Sequence, residues 1–285
     1  MSQNMYEKII LDETENVIYL SEIDTYRLVY MNRSCRELLG IETDEGYLGR
    51  PCYEVLQGFC SPCAFCTNPY LKEDSFYTWK CYNRMLKRHF TLNDKILKLP
   101  DNRRLRLEIA TDITETETLH QELHHRLNSE KTLLRCIQTL AEIENIQTAI
   151  HQLLKIIAGF YGGERAYIFE IDYAKQTCSN TYEWCSEGIT RGIDNLQQIP
   201  LSTISGWLDA FRCRGEFCLH AVESTLDKKS SEYRILAAQN IDSLIAAPLM
   251  ENDSITGFIG VDNPAAGTND LNLLTSVSYF IVNDI

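Results

Sequence analysis

The sequence predicts an α+β chain: two antiparallel-sheet domains joined by one long, coiled-coil helix. Three observations lead there. Residues 17–112 carry short runs of alternating apolar and polar residues, broken by turn residues, with a helical segment after the first two runs. Residues 113–143 contain neither Gly nor Pro. Beyond Gly162-Gly163 the strand-like and helix-like segments begin again. At 285 residues, and with about 150 residues per domain as the usual size, two domains are expected. Their boundaries fall at 1–112 and 145–285, with 113–144 as the helical linker.

Residues 17–21 and 28–32 read as two strands around an Asp24-Thr25 turn. Residues 32–39 read as a helix stopped by Gly40, which accepts the left-handed conformation at a helix end. Residues 46–68, with Gly49-Arg50-Pro51, Gly58 and Pro62, read as irregular. Strands follow at 75–82, 88–99 and 103–112, the last two joined by Pro100-Asp101-Asn102.

In the long helix, positions 116, 120, 123, 127, 130, 134, 137 and 141 step by four and three, and hold Thr, His, Leu, Leu, Glu, Leu, Ile and Ala. That spacing predicts a parallel dimeric coiled coil. A helix lying on its own domain is the alternative.

A second helix over 146–161 presents Ile146, Ile150, Leu153, Leu154 and Ile157 on one face. Strands are then predicted at 166–171, 177–184, 216–220, 243–250 and 255–262, with helices at 203–212, 231–239 and from 270 onward.

Net charge is -13, which argues against non-specific nucleic-acid binding and against an anionic membrane surface. No apolar run approaches the roughly 18 residues of a membrane helix, and residues 1–16 lack the basic and apolar regions of a signal peptide. A cytoplasmic location is expected. There, the eleven cysteines should be thiols, metal ligands or redox pairs rather than structural disulfides.

Residues of about 10–115 resemble the PAS family. The likeness lies in YRLVYMN (26–32), Cys52-Tyr53-Glu54, PCAFCTN (62–68) and the closing LEIATDIT (107–114), whose Asp112-Ile113-Thr114 feeds straight into the helix. Residues of about 145–285 resemble the GAF family through RAYIFEID (165–172), NTYEWC (180–185), IDNLQQIPL (193–201) and GFIGVDNP (257–264). The resemblance implies the sensory region of a larger bacterial signalling protein, passing a ligand, metal or redox signal through a dimeric helix. The output it implies is a GGDEF diguanylate cyclase, which makes cyclic-di-GMP, or a histidine kinase. The sequence holds neither a GGDEF loop nor a kinase ATP-binding Gly box. It also lacks the Asn-Lys-Phe-Asp-Glu signature of cyclic-nucleotide-binding GAF domains, and nothing marks a cysteine for bilin attachment.

Cys52, Cys60, Cys63 and Cys66 are the sharpest chemical candidate, spaced C-x7-C-x2-C-x2-C. Two x2 steps let thiolates converge on one centre, as zinc or an iron–sulfur cluster requires. Reversibly oxidised thiols and small buried hydrophobes are the alternatives. Tyr182, Trp184 and Trp207 are candidates to line a small-molecule pocket, with Tyr182 and Trp184 on one side of a strand. Packing against flanking helices accounts for them equally. His124-His125-Arg126-Leu127 resembles a kinase phosphoacceptor region but lacks the Asn-Asn-Leu continuation, and reads as solvent-facing helix. Glu183 and Asp262 do not read as an acid/base pair, and no nucleophile elbow or phosphate loop occurs.

Overall fold

The computed structural model describes residues 3–266 and 270–284. The chain divides into two compact units, Met1–Leu123 and His124–Ile285. Each is α+β, built on one antiparallel sheet.

The first unit runs α1 (Gln3–Asp12), β1 (Val17–Glu22), β2 (Leu28–Met31), α2 (Arg33–Leu39), α3 (Cys52–Gln57), β3 (Tyr77–Asn83), β4 (Arg88–Lys98) and β5 (Arg104–Asp112). Its sheet has the order β2-β1-β5-β4-β3. The last strand in sequence therefore lies at the centre, between β1 and β4. The two longest strands, β4 and β5, bury alternate residues over most of their length, so each shows one face to the interior and one to the outside.

Two helices escape a pattern-based reading. α1 has only ten residues, polar and apolar ones mixed. α3 has only six residues, inside the stretch that reads as irregular; Pro51 precedes it and Gly58 ends it at φ 70°. Asn32 ties the start of this unit together. Its Oδ1 accepts from Ile18 N and Cys35 N, both at 3.0 Å, and its Nδ2 donates to Leu11 O at 2.9 Å and Asn16 O at 2.8 Å. One fully buried amide thus caps α2 and pins α1 to β1.

α4 (Thr114–Glu142) is one continuous helix, as the lack of Gly and Pro predicts. The second unit continues with α5 (Ile146–Tyr161), β6 (Arg165–Asp172), β7 (Thr177–Cys185), β8 (Ile199–Pro200), α6 (Ser205–Arg214), β9 (Phe217–Leu219), α7 (Val222–Thr225), α8 (Ser231–Ala237), β10 (Leu244–Glu251), β11 (Ser254–Asp262) and α9 (Asn272–Asp284). Its sheet has the order β8-β7-β6-β11-β10-β9. One face packs on α5 and α9 through Ile150, Leu153, Leu154, Ile157, Leu274 and Val277, with Cys136 of α4 in the same cluster. The other face packs on α6 and α8.

Gly260 permits this packing. A Cβ there would fall 2.5–2.6 Å from the ring of buried Tyr167, closer than any real carbon contact. Gly260→Ala is expected to cost about 1–3 kcal/mol by overpacking, seen as faster hydrogen exchange along β6 and β11. Asn32→Asp keeps the acceptor but loses both Nδ2 donations, leaving the carbonyls of Leu11 and Asn16 without them. Exchange protection at the amides of Ile18 and Cys35 should then fall by about tenfold or more.

Candidate functional site

A cavity opens in the first unit between the sheet and the helices, with about 770 Å³ of unfilled space counting its mouth. The alternation of β5 sends Arg106, Glu108 and Ala110 to its wall. β1 contributes Val17 and Tyr19, and β4 contributes Phe90 and Leu92. α2 adds Cys35, α3 adds Cys52 and Tyr53, and the segment after α3 adds Cys63, Phe65 and Cys66.

Strand register places three polar groups in one row. Tyr19 lies opposite Glu108, and Glu108 lies opposite Asp94. Two carboxyls facing each other repel, and both are almost fully buried: Asp94 is 0% and Glu108 7% exposed. Arg106, 5% exposed, supplies the cation that makes this tolerable. Its Nη2 donates to Asp94 Oδ2 at 2.9 Å and to Glu108 Oε2, while Nη1 donates to Asn68 Oδ1 at 3.3 Å. Thr67 Oγ1 and Trp79 Nε1 each donate to Asp94 Oδ2 at 2.7 Å.

Burial pushes the Glu108 carboxyl up to about 8; Arg106 opposes that, and Asp94 adds to it. Burial would push Arg106 down, yet its acidic neighbours hold it above its ordinary value, so it stays charged. Asp94 Oδ1 and Arg106 Nε are buried with no hydrogen-bond partner. Unsatisfied buried groups of this kind cost free energy.

Five of the cysteines stand on the cavity wall: Cys35, Cys52, Cys63, Cys66 and Cys81. Burial pushes the thiols of Cys35 and Cys52 up to about 12 and that of Cys63 up to about 11. Of the four candidate ligands, Cys52, Cys63 and Cys66 share this wall, whereas Cys60 is exposed and outside it. Gly58 ends α3 in the left-handed conformation, and the segment that follows leaves Cys60 toward solvent. Among the described residues, no group of three or more His, Cys, Asp or Glu is arranged to hold a metal ion.

The three aromatic candidates of the second unit do not meet. Trp207 lines an apolar pocket with Tyr167, Phe169, Phe258 and Glu232, and its Nε1 donates to Glu232 Oε1 at 2.5 Å. Tyr182 and Trp184 pack on the opposite face of the sheet, against the α5 and α9 cluster. A bulge is responsible. Ile168 pairs with Tyr182 but Phe169 pairs with Asn180, so Thr181 is left over and the alternation reverses there. The reversal turns Glu183 to the side of Asn180, whose Nδ2 lies 3.4 Å from Glu183 Oε1.

Glu183 and Asp262 then flank Arg165, at 3.6 Å from its Nε and 3.2 Å from its Nη1. Glu183 also accepts from Gly192 N at 3.0 and 3.1 Å, a structural anchor rather than an acid/base pair. Burial pushes Asp262 up to about 7 against the pull of Arg165.

Sequence reasoning missed Arg106, Asp94, Glu108, Arg165 and the cysteines at 35 and 81. The available signal was a charged residue at an inward position of an alternating strand.

No family model matches the chain. Part of it is 29% identical over 160 residues, 54% of the chain, to the methanogenesis regulatory histidine kinase FilI of Methanothrix harundinacea (strain 6Ac). The chain spans 18% of that protein's length. Among solved structures, it is similar to the chromophore-binding domain of a Stigmatella aurantiaca bacteriophytochrome at 15% identity and TM-score 0.44, covering 94% of this chain and 92% of that one. It is also similar to the phycocyanobilin-bound GAF domain of a cyanobacterial phytochrome at 13% identity and TM-score 0.45, covering 55% of this chain and 94% of that one. No described helix is long and apolar enough to cross a membrane.

The Glu108 proton gives the first unit a characteristic pH dependence. Folded protein retains a proton up to about pH 8 that the unfolded chain, with the ordinary carboxyl value of 4.5, has already released. Stability contributed by this group therefore falls as pH rises from about 4.5 to about 8, and levels off above. Glu108→Gln is neutral throughout and lacks that loss. Comparing β4 and β5 exchange protection in the two proteins at pH 5 and pH 8 should show the variant gaining relative to wild type as pH rises.

Proposed function

We propose that this chain is a sensory and regulatory part of a signal-transducing protein, in which the state of the first unit's cavity is passed along β5 into α4. The continuity of β5 with α4 supports this most directly. Arg106 and Glu108 stand on the cavity wall, and the same strand ends at Asp112, whose Oδ1 accepts from Thr114 N at 2.9 Å and Thr114 Oγ1 at 2.6 Å. Arg88 pairs with Asp112 at 2.6 Å, and Lys80 pairs with Glu117 at 2.5 Å. A shift of β5 thus acts on the first turn of α4 through short polar contacts, and a ligand moves such a two-state element only by its differential affinity for the two states.

The similarity to a regulatory histidine kinase favours a kinase output over the diguanylate cyclase output. The output lies outside the chain in either reading. A small molecule in the Trp207 pocket of the second unit is a separate input, lined by aromatic faces and the carboxyls of Glu232 and Asp262.

Self-association through α4 belongs to the same proposal. Leu119, Leu123, Leu127 and Leu134 are exposed, and three of them sit on the four-three seam. Thr132 and Cys136 face inward instead, so the helix has one stripe for its own unit and another left for a second copy.

Ala110→Leu, which enlarges a cavity-facing side chain of β5, should alter exchange protection at residues 114–120 by about threefold or more. Unaltered protection there, with β5 itself perturbed, would overturn transmission through β5. Separately, wild-type protein should sediment as a dimer and Leu123→Glu Leu127→Glu as a monomer. A monomeric wild type would sink the dimer.

A further inference from the structure

We propose that Cys63 and Cys66 form a reversible disulfide by exchange with small disulfides of the glutathione type, making the first unit's cavity a thiol-redox site. The chemistry stands on local geometry. Its role as a signal rests on the sensory reading above.

Cys66 N donates to Cys63 O at 3.0 Å, so Cys63-Ala64-Phe65-Cys66 is a closed turn. The ends of such a turn lie within about 7 Å between Cα atoms, overlapping the span of about 4.4–6.8 Å that a disulfide bridges. Both side chains lie on the same cavity wall, and both are partly exposed, so a small disulfide can reach them. Phe65 holds the turn in place, 6.2 Å from the Phe59 ring and 6.1 Å from the Trp79 ring. Arg106 Nη1 lies 4.0 Å from Cys66 Sγ. This contact fixes the place of the Cys66 sulfur on the wall, which assigns attack to Cys66 and resolution to Cys63.

The Cys66 thiolate attacks one sulfur of the small disulfide. The disulfide's S–S bond breaks, one small thiolate leaves, and a mixed disulfide forms on Cys66. The Cys63 thiolate then attacks the Cys66 sulfur; the mixed bond breaks and the second small thiolate leaves. The protons released by Cys63 and Cys66 go to the two departing thiolates. Two electrons pass from the protein to the small disulfide, giving two small thiols and one Cys63–Cys66 bond. Oxidation also ties into the new bond the sulfur that faces Arg106, the residue that pairs with Asp94 and Glu108 on the strand leading to α4.

The test equilibrates the purified full chain with glutathione disulfide and reduced glutathione over a range of ratios. Cleavage with chymotrypsin follows, which cuts after Phe59 and Phe65 and so separates Cys63 from Cys66. The expected product is a cross-link between residues 60–65 and the peptide that begins at Cys66, reversed by reduced glutathione, retained in Cys60→Ser and lost in Cys63→Ser. The Cys63→Ser protein should instead accumulate glutathione on Cys66, whereas Cys66→Ser should not accumulate it on Cys63. Thiols that stay reduced at every ratio, a bond from Cys66 to Cys52, Cys60 or Cys81, or stoichiometric zinc that shields both thiols would each overturn the assignment. These outcomes leave the Ala110→Leu test of transmission standing. A Cys63–Cys66 bond that leaves exchange at residues 114–120 unaltered would overturn the disulfide as a signal while keeping its chemistry.

Discussion

Each sheet buries one arginine between two carboxyls, and much of both units is arranged around that constraint. In the first, Arg106 reaches Asp94 and Glu108; in the second, Arg165 reaches Glu183 and Asp262. An isolated buried charge is costly enough that a fold must pair it and satisfy its remaining hydrogen bonds. Burial pushes one carboxyl of each set up, Glu108 to about 8 and Asp262 to about 7, and the second acid of each set adds to that push. The segments that supply the other partners follow from this. Thr67 and Asn68 cover the first arginine's set, and Thr190 and Gln239 reach the second arginine.

The two sets differ in what surrounds them. Arg165 is held from several directions, by Gln239, a backbone carbonyl and two acids, and Glu183 in turn anchors Gly192. That is a clamp on loops. Arg106 stands at an open cavity whose wall also carries five thiols. Each set leaves its arginine Nε and one aspartate Oδ1 without a partner. Arg106 and Glu108 share β5 with Asp112, whose Oδ1 accepts from Thr114 N at the start of α4.

Much of the fold was legible because its signals are local. Alternation marked the long strands, Gly40 and Gly162 marked helix ends, and an uninterrupted run marked α4. α1 and α3 were not legible, since the first is only ten residues of mixed character and the second is shorter than two turns of helix. The site was legible only in part. The cysteine spacing pointed to the cavity wall, yet Cys60 leaves it, and Cys35 and Cys81 join it from α2 and β3. Tyr182 and Trp184 fell on one side as alternation requires, but the bulge at Thr181 decided which side.

What the sequence by itself determined is the identity and order of elements whose periodicity spans many residues, together with a charge and a cysteine content that narrow the classes of partner. Only the tertiary structure decided which inward charges meet. Asp94, Glu108 and Arg106 become one cluster through the pairing of β4 with β5, and Arg165, Glu183 and Asp262 through the pairing of β6 with β7 and β11. The reason is physical. Hydrophobic period is set residue by residue along the chain, whereas strand register and a one-residue bulge are settled by packing between segments distant in sequence.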